Sequence, residues 1–85
     1  MLTPDLMNTA CRLLQCRFNQ ECLNVHVDWT IHFPDIVVTA MYQHGNTVKT
    51  CDTKLSDDMG EYEVKEACDG MFRAIVADLT NKVVS

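Results

Sequence analysis

Two spacings of apolar residues organise the chain. From Leu6 to Cys22 they recur every three to four positions: Leu6, Met7, Ala10, Cys11, Leu13, Leu14, Phe18 and Cys22 share one arc at 100° per residue. Asp5, Asn8, Thr9, Arg12, Gln15, Asn19 and Gln20 fall opposite, with Arg17 and Glu21 inside or at the rim of the apolar arc. Long stems that keep their charge in water would accommodate those two. The pattern predicts an amphipathic helix with a well-marked start, Thr3-Pro4-Asp5: a hydroxyl N-cap, a proline at the first helical position and an acid in the first turn. Its end is expected between Gln20 and Asn24.

The spacing then becomes two. Val25, Val27, Trp29, Ile31 and Phe33 alternate with His26, Asp28, Thr30 and His32, the mark of a strand with one dry and one wet face. Trp29, at its centre, is expected in the core. Pro34-Asp35 breaks the run. A second strand is predicted over Ile36–Gln43, rich in β-branched and aromatic residues. Its alternation is blurred by Ile36, Val37 and Val38 in succession, which leaves two registers open. In one, Ile36, Val38, Ala40 and Tyr42 face the core, and Val37, Thr39 and Met41 join the histidine row outside. In the other, Tyr42 is outside. His44-Gly45-Asn46 tolerates positive φ and reads as a hairpin turn. A third, more polar strand over Thr47–Leu55 reads as an edge guarded by Lys49 and Lys54.

Ser56-Asp57-Asp58-Met59-Gly60 reads as a loop into a last helix, Glu61–Lys82. Its apolar arc holds Val64, Ala67, Cys68, Met71, Phe72, Ile75, Val76, Leu79 and Val83. Glu63, Glu66, Asp69, Gly70, Arg73, Ala77 and Asn81 lie opposite. Gly70, in a helix interior, costs about 1 kcal/mol relative to alanine. The expected fold is therefore α+β in the order α-β-β-β-α: a three-stranded antiparallel meander with two helices packed on one face, forming a single domain over residues 1–85.

Composition narrows the class. The chain has 85 residues, 47% hydrophobic and 22% charged, which suits a globular domain and not a disordered segment. Met1 to Asn8 carry an acid and no base, so no export leader is read there, and no apolar run is long enough to span a bilayer. A cytoplasmic protein with no membrane association is expected. The cysteines, Cys11, Cys16, Cys22, Cys51 and Cys68, are odd in number. Cys11 and Cys22 would lie about 16 Å apart on one helix, too far for a disulfide. All five are read as reduced thiols, mostly core fillers. Cys16 falls on the polar side of its helix near Arg12, where a reactive role would need a lowered pKa.

The element order is similar to that of double-stranded-RNA-binding domains, over most of the chain and in topology alone. That resemblance implies lysines at the start of the last helix, set to grip phosphates. Here the same stretch is Asp57, Asp58, Glu61, Glu63, Lys65, Glu66 and Asp69, six acids and one base, and its net charge of −5 equals that of the whole chain. Phosphate binding needs the opposite sign, so nucleic acid is set last among the partners. Acids at a helix N-terminus complement the macrodipole, and Asp69 stands four residues before Arg73. Read functionally, Asp57, Asp58, Glu61, Glu63, Glu66 and Asp69 form an electronegative patch for a basic partner.

The wet face of the first strand offers a second candidate surface: His26, Asp28, Thr30 and His32, with Val37, Thr39 and Met41 beside them in the first register. Two histidines and an aspartate could in principle ligate a metal or form a His-Asp base, but a row along one strand is too spread for tetrahedral coordination, and no nucleophile stands nearby. No metal or other cofactor is assigned. The chain carries no glycine-rich phosphate loop, CxxC, HExxH or GxSxG. The expectation is a small, acidic, non-catalytic protein-binding module, of the inhibitor or adaptor type that phages and mobile elements encode, docking a basic surface of a host protein. A structural homodimer, joined through the open sheet face or the edge strand, is the alternative.

Overall fold

A computed structural model describes residues 2–80. The expected continuation of the last helix to Lys82, with Asn81 and Val83, lies outside the described residues. The order is α1 (Pro4–Gln20), β1 (Val25–His32), β2 (Asp35–His44), β3 (Thr47–Ser56) and α2 (Glu61–Thr80). The expected α-β-β-β-α fold is the one found, with the strands in a single antiparallel sheet ordered β1-β2-β3.

Local chemistry sets the boundaries. The Thr3 hydroxyl accepts from the Leu6 amide at 3.1 Å, and Pro4 opens α1. Gly45 takes φ +65° in the tight turn between β2 and β3, where a side chain would be strained. The first register holds: Ile36, Val38, Ala40 and Tyr42 are buried, facing Ile31, Trp29, Val27 and Val25 across β1.

Both helices lie over that face, α1 against β1 and α2 against β3. Met7, Cys11, Leu14 and Phe18 of α1 meet Val64, Cys68, Met71 and Ile75 of α2 above Val38, Ala40 and Leu55. The Phe18 and Phe72 rings pack with centroids 5.1 Å apart. The helices run in the same direction, so both N-termini sit at the end of the sheet where β3 finishes.

Several positions differ from expectation, each for a traceable reason. Ile31 is 63% exposed and Phe33 94%, although both continue the dry face of β1. α1 crosses the sheet obliquely. Its Gln15 binds the backbone of Val25 and Val27 on β1, whereas Leu2, just before its start, hydrogen-bonds Asp57 beyond β3. The far end of β1 is thereby left uncovered. Trp29 is half-buried instead of enclosed, its indole N–H donating to Asn8 Oδ1 at 2.9 Å. Leu13 is 57% exposed because the apolar arc of α1 is wider than the surface it meets. Cys22 lies past the helix in left-handed backbone, φ +56°, and is exposed. Cys11 and Cys68 are buried and Cys51 is half-buried, while Cys16 and Cys22 are exposed, so core filling describes only part of the set. Lys49 does not guard the edge. It faces inward and pairs with Asp78 at 3.1 Å.

Candidate interaction surfaces

Among the described residues, no helix covers the sheet face away from α1 and α2. Register aligns its side chains in rows across the strands: His26–Met41–Thr50, Asp28–Thr39–Asp52, Thr30–Val37–Lys54 and His32–Asp35–Ser56. All seven residues expected on this face are there together. His26, Asp28, Thr30 and His32 are exposed, Val37 and Thr39 are half-buried, and Met41 is 47% exposed. The face also holds Asp52 and Lys54, whose place depends on the pairing of β3 with β2. No group of three His, Cys, Asp or Glu side chains converges as metal ligands among the described residues. Asp28 is turned to its own backbone, accepting from the Trp29 amide at 2.8 Å.

The acidic residues divide in two. Asp69 is engaged within the fold. It bridges Arg17 at 2.9 Å and Arg73 at 2.8 Å, and the Arg17 guanidinium lies 4.0 Å from the centre of the Phe72 ring. Arg17, the cation at the rim of the apolar arc, therefore holds α1 to α2. Its hydrogen bond, with help from the Arg73 charge, keeps the Asp69 carboxyl below its ordinary pKa. Asp69 is thus already neutralised and is removed from the surface proposed for a partner.

Asp57, Asp58, Glu61, Glu63 and Glu66 have no ion-pair partner among the described residues. Asp57 accepts from the Leu2 amide at 3.2 Å, Asp58 from the Ser56 hydroxyl at 2.6 Å and Glu66 from the Tyr62 hydroxyl at 2.7 Å. Glu61 and Glu63 occupy the first turn of α2. Asp35, at the start of β2, joins them: with Pro34, Ser56, Asp57 and Asp58 it lines an open concavity at this end. Exposed Phe33 stands beside Pro34. The result is one end of the molecule with a bare aromatic ring next to Pro34, a concavity holding Asp35, Asp57 and Asp58, and Glu61, Glu63 and Glu66 following along α2.

No family model, curated protein or solved structure matches the chain. The likeness to double-stranded-RNA-binding domains accordingly rests on element order alone.

Neither Phe33 nor Asp35 was singled out from sequence as part of a site. Phe33 continued the dry alternation and was assigned to the core. The signal available was its neighbour Pro34, since a ring at the mouth of a turn is often beyond the reach of covering helices. Phe33 and Asp35 also line a concavity of about 460 Å³ on the sheet face away from the helices, with Asp52 and Lys54, and a groove of about 310 Å³ lies between α1 and α2, lined by Leu13, Cys16, Arg17, Gln20 and Lys65 among others. Cys16 stands at it, and Arg17, which lines it too, is committed to Asp69 and Phe72.

Proposed function

We propose that this chain is a non-catalytic protein-binding module whose acidic end docks a basic surface of another protein, with Phe33 as the apolar anchor. The carrying observation is the 94% exposed Phe33 at the end of the molecule where Pro34 and Asp35 share a concavity with Asp57 and Asp58, three carboxylates with no ion pair among the described residues. Aromatic anchors at the centre of an interface carry a disproportionate share of its energy, and surrounding charge steers and selects the partner. This is how a small inhibitor or adaptor works. The same negative potential disfavours nucleic acid as the ligand. Among the described residues no helix is long and apolar enough to cross a membrane, and five free cysteines suit a reducing compartment such as the cytoplasm.

Affinity capture from the cells that express the chain, followed by titration of the purified partner, tests this. Phe33→Ala should weaken binding by about 2 kcal/mol, roughly thirtyfold. The triple variant D58N/E61Q/E63Q should slow association and flatten its salt dependence. A partner held equally well by both variants, at low and high salt alike, would defeat the proposal.

A further inference from the structure

The two edges of the sheet are treated differently. On β1 the side chain of Gln15 donates to Val25 O at 2.6 Å and accepts from Val27 N at 2.9 Å, and the Asp28 carboxylate takes the Trp29 N–H. Two successive outward amides of that edge are thus occupied, which blocks strand addition. On β3 no hydrogen bond from a side chain or backbone segment among the described residues takes the outer edge until its end, where the Ser56 carbonyl accepts from the Met59 amide at 3.1 Å. Antiparallel alternation identifies which groups point outward there. The outward positions of β1 are the odd ones, so β2 turns its even positions to β3, and β3 turns Val48, Thr50, Asp52, Lys54 and Ser56 outward.

We infer that this edge pairs with the β3 edge of a second copy of the chain, joining two three-stranded sheets into one of six strands. Charge complementarity selects both the occupant and the register. Asp52 and Lys54 lie two residues apart, on the same face and both with outward backbone groups. An antiparallel copy centred on Thr53 sets Asp52 of each chain directly opposite Lys54 of the other. Centring on Asp52 or on Lys54 would oppose like charges, which destabilises a cross-strand pair. The backbone ladder supplies the affinity and the ion pairs choose the alignment.

The helix above the edge is shaped to allow the approach. Asp69 and Phe72 mark the side of α2 that meets α1. On the opposite flank, over β3, helical geometry places Glu63, Ala67, Gly70, Ala74 and Ala77. A Cβ at Gly70 would meet nothing within 4 Å, so the fold of one chain does not require glycine there. Two α2 helices facing across the dyad would lie closer than most helix pairs, and the small side chains from Ala67 to Ala77 on this flank leave room for that approach. The strand edge is separate from Phe33, Asp35, Asp57 and Asp58, and the dimer stands or falls without them.

Sedimentation across the micromolar range tests it. The wild-type chain should dimerise. Asp52→Lys and Lys54→Asp, each creating two like-charge pairs, should each weaken the dimer about tenfold. Mixed in equal amounts, these two variants should recover wild-type affinity, because the paired lysines of one chain then face the paired aspartates of the other. Gly70→Arg should give a monomer that melts no lower than wild type. A wild-type chain that stays monomeric at high micromolar concentration overturns the inference. So does a mixture that associates no better than either variant alone.

Discussion

Tyr42, at the margin of the core, donates its hydroxyl to Asp78 Oδ2 at 2.8 Å, and Lys49 Nζ lies 3.1 Å from the same oxygen. Burial, reinforced by that bond, pushes the phenol from its ordinary 10.0 up to about 12. The folded chain therefore holds the proton more tightly than the unfolded chain, and the stability this contributes is full below pH 10 and is lost as pH rises to about 12. Buried Cys11, its thiol raised to about 11 chiefly by desolvation, begins the alkaline loss earlier, above 9.0. Asp78 behaves oppositely: the Tyr42 hydroxyl first, then Lys49, hold its carboxyl below the ordinary 3.8, so its contribution is present above that value and disappears in stronger acid. Denaturant midpoints measured against pH should fall between pH 10 and 12 for the wild type and fall less for Tyr42→Phe. Equal slopes for the two chains would mean that this cluster does not couple to folding.

Gln15 shows what an element needs beyond its own periodicity. It lies on the polar side of α1, yet its amide serves as a short surrogate strand for β1. Replacing it with alanine removes two partly buried hydrogen bonds and exposes the Val27 N–H, for a loss of about 1–2 kcal/mol in urea unfolding. An unchanged midpoint would show that water replaces the amide without loss. The period-two run from Val25 revealed which side of β1 is dry, and the sheet-face residues from His26 to Met41 were legible for the same reason. How far that dryness extends was not, because it depends on the oblique path of α1, and Ile31 and Phe33 emerged exposed. Asp69 posed a similar problem. Its i,i+4 neighbour Arg73 is visible in the sequence, but Arg17 is 52 positions away and reaches it only through helix packing. The free edge of β3 was anticipated from its polarity, whereas the inward turn of Lys49 required the register with Tyr42.

At the scale of the molecule, stability and recognition fall to different aromatic residues. Phe18 is fully buried where α1, α2 and the sheet converge, and its ring packs against Phe72. Removing such a ring leaves a cavity that close-packed neighbours cannot fill, which costs about 3–5 kcal/mol. A domain of this length has a total stability of roughly 4–13 kcal/mol, so Phe18→Ala should lose a large fraction of it and can unfold the chain at moderate temperature. Phe33 buries almost nothing, and Phe33→Ala should change stability by less than about 0.5 kcal/mol. Thermal melts of the two variants separate the roles before any partner is known. A Phe33→Ala chain as unstable as Phe18→Ala would place that ring in a packed environment and withdraw it as an anchor. A Phe33→Ala chain that melts with the wild type leaves a large apolar ring with no part in folding, and docking is then the use that its exposure and acidic surroundings fit.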